Sequence, residues 1–294
     1  MQKDAMERLG LSRMLLEPEL LESVEADVEL VATLISLNQV IPAKTKDTAR
    51  KVVAKVVEEL ERKLKLPLIQ TLKGALNKSI QTRRPKWNEI DWHRTIQANL
   101  KHYQPKYKTI IPEKQFGYGR KGGALKEIIL CVDQSGSMAS SVVYASVFGA
   151  VLASMRSLKT HMVAFDTSVV ELTENLHDPV ELLFGVQLGG GTDIHKALTY
   201  CQQLIRRPKD TILVLISDLF EGGSVSRLIN KATEIKSSGV QVITLLALND
   251  EGKPFYHQEV AQAFTELEIP TFGCTPDIFG ELMAAAISGR EIRI

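Results

Sequence analysis

The chain has 294 residues, 44% of them hydrophobic and 24% charged, which excludes a disordered or fibrous protein and leaves room for two domains or one large one. A net charge of +1 excludes a chain drawn as a whole to nucleic acid or an anionic membrane. Three scattered cysteines, Cys131, Cys201 and Cys274, with no CxxC pair, exclude a disulfide framework and a zinc site and suit a reducing compartment.

The first residues, MQKDAMERLG, are charged and lack an apolar signal core. No apolar run approaches the roughly 20 residues needed to span a bilayer. The expectation is a cytoplasmic protein without a membrane span. Residues up to about 110 carry helical periodicity. In KTKDTARKVVAKVVEELERKL, Val52, Val53, Val56, Val57, Leu60 and Leu64 make one stripe, with Lys, Arg and Glu on the other face. Shorter patterns of the same kind run through LLESVEADVELVATLISL, LPLIQTLKGALNKSI and DWHRTIQANLKHY, the last with Asp91 as a candidate N-cap. These predict an all-helical bundle of about four helices over residues 1–110.

From Arg83 to Lys126 eleven Lys/Arg stand against Glu89, Asp91 and Glu113, a basic belt interleaved with Trp87, Trp92, Tyr103, Tyr107, Phe116 and Tyr118. Its second half has the Pro and Gly content of a loop or hairpin, so residues 111–125 are assigned as a connector. Such a belt can bind nucleic acid, dock on an acidic protein surface, or serve as a solvated linker whose aromatics pack onto its neighbours; the linker is the expected case.

Beyond residue 126 short β-branched runs alternate with helical stretches. The strands are EIILCVD, THMVAFD, VVELT, TILVLISD, VQVITLLAL and PTFGC. Helices are predicted after the first strand up to Leu158, over 193–205, 225–236, near 258–267 and over 277–287. This predicts an α/β domain over 126–294, with a doubly wound, mostly parallel sheet flanked by helices and preceded by the all-α domain. Ligands in such sheets sit outside the carboxyl ends of the strands.

Three polar clusters fall on that edge. The first strand ends in CVDQSGSM, which places Asp133, Ser135 and Ser137 at alternate positions. GGGTDI places Thr192 before a helix, and ISDLFEGG ends a very apolar strand in Asp218. Carboxylates and hydroxyls at strand ends cost desolvation free energy unless something satisfies them. Two carboxylates and three hydroxyls form an oxygen-only shell that suits Mg²⁺ or Mn²⁺, with Ca²⁺ ranked lower. Taken alone, DxSGS is equally well a turn that caps the next helix.

Asp133-x-Ser135-x-Ser137, with Thr192 after a glycine cluster and Asp218 at a later strand end, resembles the metal-ion-dependent adhesion site of von Willebrand factor type A domains. The resemblance covers roughly residues 126–288. It implies that the two serines and usually the threonine hold the ion directly, that the aspartates often act through water, and that an acidic residue of a partner protein completes the shell. More narrowly, the helical half, the basic connector and this domain together are similar to CoxE-like bacterial proteins that act alongside MoxR-type AAA+ ATPases. That similarity implies a non-enzymatic adaptor whose partner is an AAA+ ATPase or its client, in protein remodelling or maturation.

Two other functions stand beside this one. A metal-dependent hydrolase needs a base near the ion, for which only Glu221 and His195 are candidates. Nucleic-acid binding through the basic helical half is the other. Nucleotide binding at GGGTD has little support, because no GxxxxGK is present and the glycines do not follow GxGxxG. Asp166 is expected to be a turn residue, and Glu221 a solvated loop residue.

Overall fold

The computed structural model describes residues 27–38, 41, 43–79, 81–82, 85, 87, 90–118, 126–185, 190–246, 256–273 and 275–290. The expected helical pattern before residue 27, the second half of the connector (119–125), Gly189 and Cys274 lie outside these.

The four central strands are apolar runs buried on both faces, as expected of a covered parallel sheet, while the two short edge strands are half-buried to exposed. In chain order the strands are β1 (Lys126–Asp133), β2 (Leu158–Phe165), β3 (Val169–Glu171), β4 (Thr211–Ser217), β5 (Gln241–Leu246) and β6 (Thr271–Gly273). They assemble in the order β6-β5-β4-β1-β2-β3. All neighbours are parallel except β3, which runs antiparallel to β2 through Val163↔Glu171. The chain leaves β1 toward β2 and β3, then returns to β4 on the other side of β1. The reversal of strand order therefore falls between β1 and β4, where open α/β sheets bind ligands.

Alternate residues of β1 face opposite sides. Ile128, Leu130 and Val132 enter one apolar cluster, Ile129 and Cys131 the other. The second cluster is closed by α6 (Ile194–Leu204), α7 (Val225–Ser237) and α8 (Gln258–Glu266). The first is closed by α4 (Ala139–Ala153), α5 (Pro179–Gly185) and α9 (Pro276–Ser288), and also by α1 (Val28–Ser36) and α2 (Ala43–Ser79). The helices of the N-terminal half thus share one continuous core with the sheet. Residues 136–153, the α4 segment with its leading turn, are long and apolar enough to cross a bilayer, yet 56% of that stretch is buried inside the fold, as befits a core helix.

Two expected helices, over 44–64 and 66–80, are in fact one helix of 37 residues with Pro67 inside it. An interior proline costs roughly 3 kcal/mol. Just beyond it Leu68, Leu72 and Ala75 are buried, and a leucine so placed returns about 1.5–3 kcal/mol. Close approach to α9 makes this packing possible: a Cβ added at Gly280 would sit 3.3 Å from Leu68 Cδ1. Tertiary packing outweighs the local stop signal.

Short pairings absent from the helical expectation occur in the intervening region. Gln81 and Thr82 pair with Tyr118 and Gly117, and Tyr103 and Gln104 pair with Ile110 and Thr109. They flank α3 (Trp92–Ala98), which Asp91 caps by accepting from the Arg94 amide at 3.0 Å.

Candidate metal centre at the carboxyl edge of the sheet

Asp133 ends β1 with no exposed surface. Its Oδ1 accepts from the Ser135 amide at 2.8 Å and its Oδ2 from the Ser217 hydroxyl at 2.7 Å. The chain then turns through a single 3₁₀ turn, Gly136–Met138, into α4. Ser135 and Ser137 present their hydroxyl oxygens 3.2 Å apart. Ser137 Oγ donates to Asp218 Oδ2 at 2.6 Å, a charge-assisted contact that joins the first loop to the end of β4. Asp133 and Asp218 are buried, Ser135 is half-buried and Ser137 is exposed, so the site opens to solvent on its hydroxyl side.

Thr192 arrives from the third loop. Its carbonyl accepts from the Gly222 amide at 2.8 Å, and Asp193 caps α6 through the Lys196 amide at 2.8 Å. The Asp193 amide donates to the Asp166 carbonyl at 2.8 Å. Asp166 itself closes a turn, accepting from the Ser168 hydroxyl at 2.7 Å, in keeping with its expected role. The five residues Asp133, Ser135, Ser137, Thr192 and Asp218 therefore lie on three adjoining loops of one sheet edge.

Glu221 is more than a solvated loop residue. Its Oε2 accepts from the Ile194 amide at 2.7 Å, and the amides of His195 and Gly223 also stabilise its charge. Burial nevertheless pushes its carboxyl above the ordinary range, with the charge of Asp193 adding to the rise. Glu221 thus sits on the N-terminus of α6, where amides and dipole favour an anion, and it clasps the Asp218 loop to the Thr192 loop. The preceding ISDLFEGG segment shows no local pattern that announces this, because the acceptor and its donors come from different loops. The second Glu221 oxygen, Oε1, is buried without a hydrogen-bond partner among the described residues.

The Asp218 loop is also turned tightly. Leu219 has φ of 63° while fully buried, a conformation costing about 1–3 kcal/mol for a non-glycine residue unless its surroundings hold it. Here the Ser217 hydroxyl accepts from the Leu219 amide at 3.0 Å and Asp218 Oδ1 from the Phe220 amide at 3.2 Å. Phe220 projects to the rim, edge-on to His257 at 5.6 Å.

Two carboxylates converge here, and among the described residues neither has a Lys or Arg ion-pair partner. Burial, with the charge of Asp218 adding to it, pushes the Asp133 carboxyl from 3.8 up to about 6 despite the Ser135 and Ser217 donors. That surplus of negative charge in an all-oxygen cradle fits a hard divalent cation. Among the described residues no three His, Cys, Asp or Glu side chains cluster as a metal-binding group, so an ion here would depend on the hydroxyls as well.

Gly222 is a position the clasp requires. A Cβ there would lie 2.6 Å from the Thr192 carbonyl oxygen, and backbone cannot yield as a flexible side chain would. Gly222→Ala is expected to cost about 1–3 kcal/mol, as read by thermal unfolding.

A parallel sheet reversing at β1/β4, with an antiparallel edge strand and a DxSxS loop on its carboxyl edge, defines a von Willebrand factor type A domain. The family model described as "VWA domain containing CoxE-like protein" matches residues 60–282, and the chain belongs to that family. It is 35% identical over 284 residues to the Escherichia coli (strain K12) protein named "Uncharacterized protein YehP", covering 96% of this chain and 74% of that one. Among solved structures it is similar to an aerotolerance-related membrane protein from Bacteroides fragilis (16% identity, TM-score 0.45, 55% of this chain and 98% of that one). It is also similar to a von Willebrand factor type A protein from Catenulispora acidiphila (14%, TM-score 0.43, 57% and 44%). A third similar structure is the manganese-loaded Plasmodium vivax TRAP protein (19%, TM-score 0.36, 46% and 62%).

Proposed function

We propose that this protein is a non-enzymatic interaction module that captures a carboxylate of a partner protein through a divalent ion, Mg²⁺ in the first instance, at Asp133, Ser135, Ser137, Thr192 and Asp218. The observation that carries this is the Ser137 to Asp218 contact of 2.6 Å, which brings a hydroxyl of the DxSxS loop and the carboxylate after β4 to one point beside buried Asp133. When bound, the ion supplies an electrophilic site with open positions that an acidic side chain can fill. The chain's own residues hold and orient it: Ser217 and the Ser135 amide fix the Asp133 carboxylate, and the Glu221 clasp fixes the Thr192 loop.

Membership in the CoxE-like family supports a MoxR-type AAA+ ATPase, or its client, as the partner, and an adaptor role in protein remodelling or maturation in the cytoplasm. The test is a pull-down from the native cell, probed for a MoxR-type ATPase. Binding is expected in Mg²⁺, absent in EDTA, restored by excess Mg²⁺ or Mn²⁺, and absent in Asp133→Ala. Binding that persists unchanged in EDTA would reject metal-mediated capture.

A further inference from the structure

Helix α3 buries its polar stripe and exposes its apolar one. On the inner side Thr95 and Asn99, one turn apart, are 2% and 1% exposed. Thr95 Oγ1 donates to the Phe116 carbonyl at 3.1 Å and accepts from the Phe116 amide at 3.0 Å. Asn99 Nδ2 donates to the carbonyls of Thr95 at 2.7 Å and Lys114 at 2.8 Å. Its Oδ1 accepts from the amides of Glu113 at 3.0 Å and Lys114 at 3.2 Å. These polar bonds hold the unit from residue 91 to 116 together without an apolar core of its own.

The outer side carries Trp92 and Ile96, exposed by 42% and 44%, and the following 3₁₀ turn (Leu100–His102) continues the stripe with Leu100 at 60%, followed by Tyr103 at 48%. Trp87 stands edge-on to Trp92 with ring centroids 4.9 Å apart. None of these residues belongs to either apolar cluster of the fold. A stripe of this kind on an otherwise well-packed protein marks an interaction surface. Exposed Lys101, Lys106 and Lys108 accompany it. Across residues 90–118 five Lys/Arg stand against two acidic residues, of which Asp91 caps α3 and Glu113 Oε2 lies 3.1 Å from His102 Nε2.

We propose that the Trp92, Ile96 and Leu100 stripe is a docking surface for a protein partner presenting an amphipathic segment whose apolar face is rimmed by Asp and Glu. The apolar side chains supply affinity and the lysines set orientation and encounter rate. Single-stranded nucleic acid fits less well: Trp87, Trp92 and Tyr103 offer ring faces for stacking, but Ile96 and Leu100 between them offer none and would stay exposed. A second copy of the chain fits less well too, since an isologous contact would set the same lysines against one another. This surface does not depend on the metal centre.

The test uses three fluorescent probes against the full chain: a helical peptide with Leu at every third or fourth position and Glu elsewhere, the same peptide with Lys in place of Glu, and oligo(dT). Anisotropy titration is expected to show binding of the Glu peptide alone. That binding should weaken about tenfold or more in Ile96→Ser/Leu100→Ser and to a similar extent, about tenfold, in Lys101→Glu/Lys108→Glu. Both pairs are exposed, so thermal unfolding should not move. The proposal is overturned if the Glu peptide does not bind, if the Lys peptide binds equally, or if the serine pair leaves binding intact. It is overturned equally if oligo(dT) is the ligand, or if sedimentation shows a dimer that the serine pair dissolves.

Discussion

Phe279→Ala is expected to destabilise the whole protein by about 3–5 kcal/mol. Phe279 is 1% exposed and lies flat against Phe148 of α4, with centroids 4.0 Å apart and planes 9° from parallel. The loss combines a buried aromatic side chain, the cavity left behind and a stacked ring pair. One residue further on, Gly280 lets Leu68 of α2 close over α9, so damage at Phe279 reaches the N-terminal helices. Urea unfolding followed by far-UV circular dichroism should therefore show a single transition at lower midpoint. A loss under about 1 kcal/mol, or a separate early transition for α2, would contradict a common core.

The second large effect concerns charge at the sheet edge. In metal-free protein the Asp133 carboxyl titrates at about 6 when folded against 3.8 as the ordinary value. The folded state holds the proton more tightly, so the favourable contribution is complete below about pH 4 and is lost as pH rises through about 6. The difference corresponds to on the order of 3 kcal/mol against the EDTA-treated fold at pH 7.5. Removing the charge should recover part of it. Asp133→Asn is expected to be more stable than the parent in EDTA at pH 7.5 by about 1–2 kcal/mol, less than the full amount because Ser217 loses its anionic acceptor. Mg²⁺ should stabilise the parent above pH 6 and leave Asp133→Asn unmoved. Thermal unfolding at pH 5 and pH 7.5, with EDTA and with Mg²⁺, reads all of this.

Much of the architecture was legible because strand and helix alternate in sequence with near-continuous apolar strands, which only a doubly covered parallel sheet accommodates. The convergence of Asp133, Ser137 and Asp218 followed from the same pattern, since all three end strands or follow them on one edge. Three features were not legible, each for a physical reason. Pro67 reads locally as a stop, and only the burial of Leu68 and Leu72 against α9 keeps α2 going. Glu221 reads as a loop carboxylate, because its amide donors at the start of α6 lie 27 residues away in the chain. The aromatics of the basic belt read as packing onto neighbouring elements, yet Trp87, Trp92, Tyr103 and Tyr107 are exposed. The segment 113–116, beyond the hairpin that follows α3, instead offers backbone groups that Thr95 and Asn99 satisfy, which leaves the apolar stripe of α3 outward.

The most direct measurement is the loss of the free Mn²⁺ electron paramagnetic resonance signal on titrating the protein. One ion is expected to bind per chain and to be displaced by Mg²⁺, with affinity falling on the order of 100-fold in Asp133→Ala and in Asp218→Ala while both variants remain folded. Absence of a bound ion in the parent, or full Mn²⁺ binding in both variants, would contradict a metal centre at this edge.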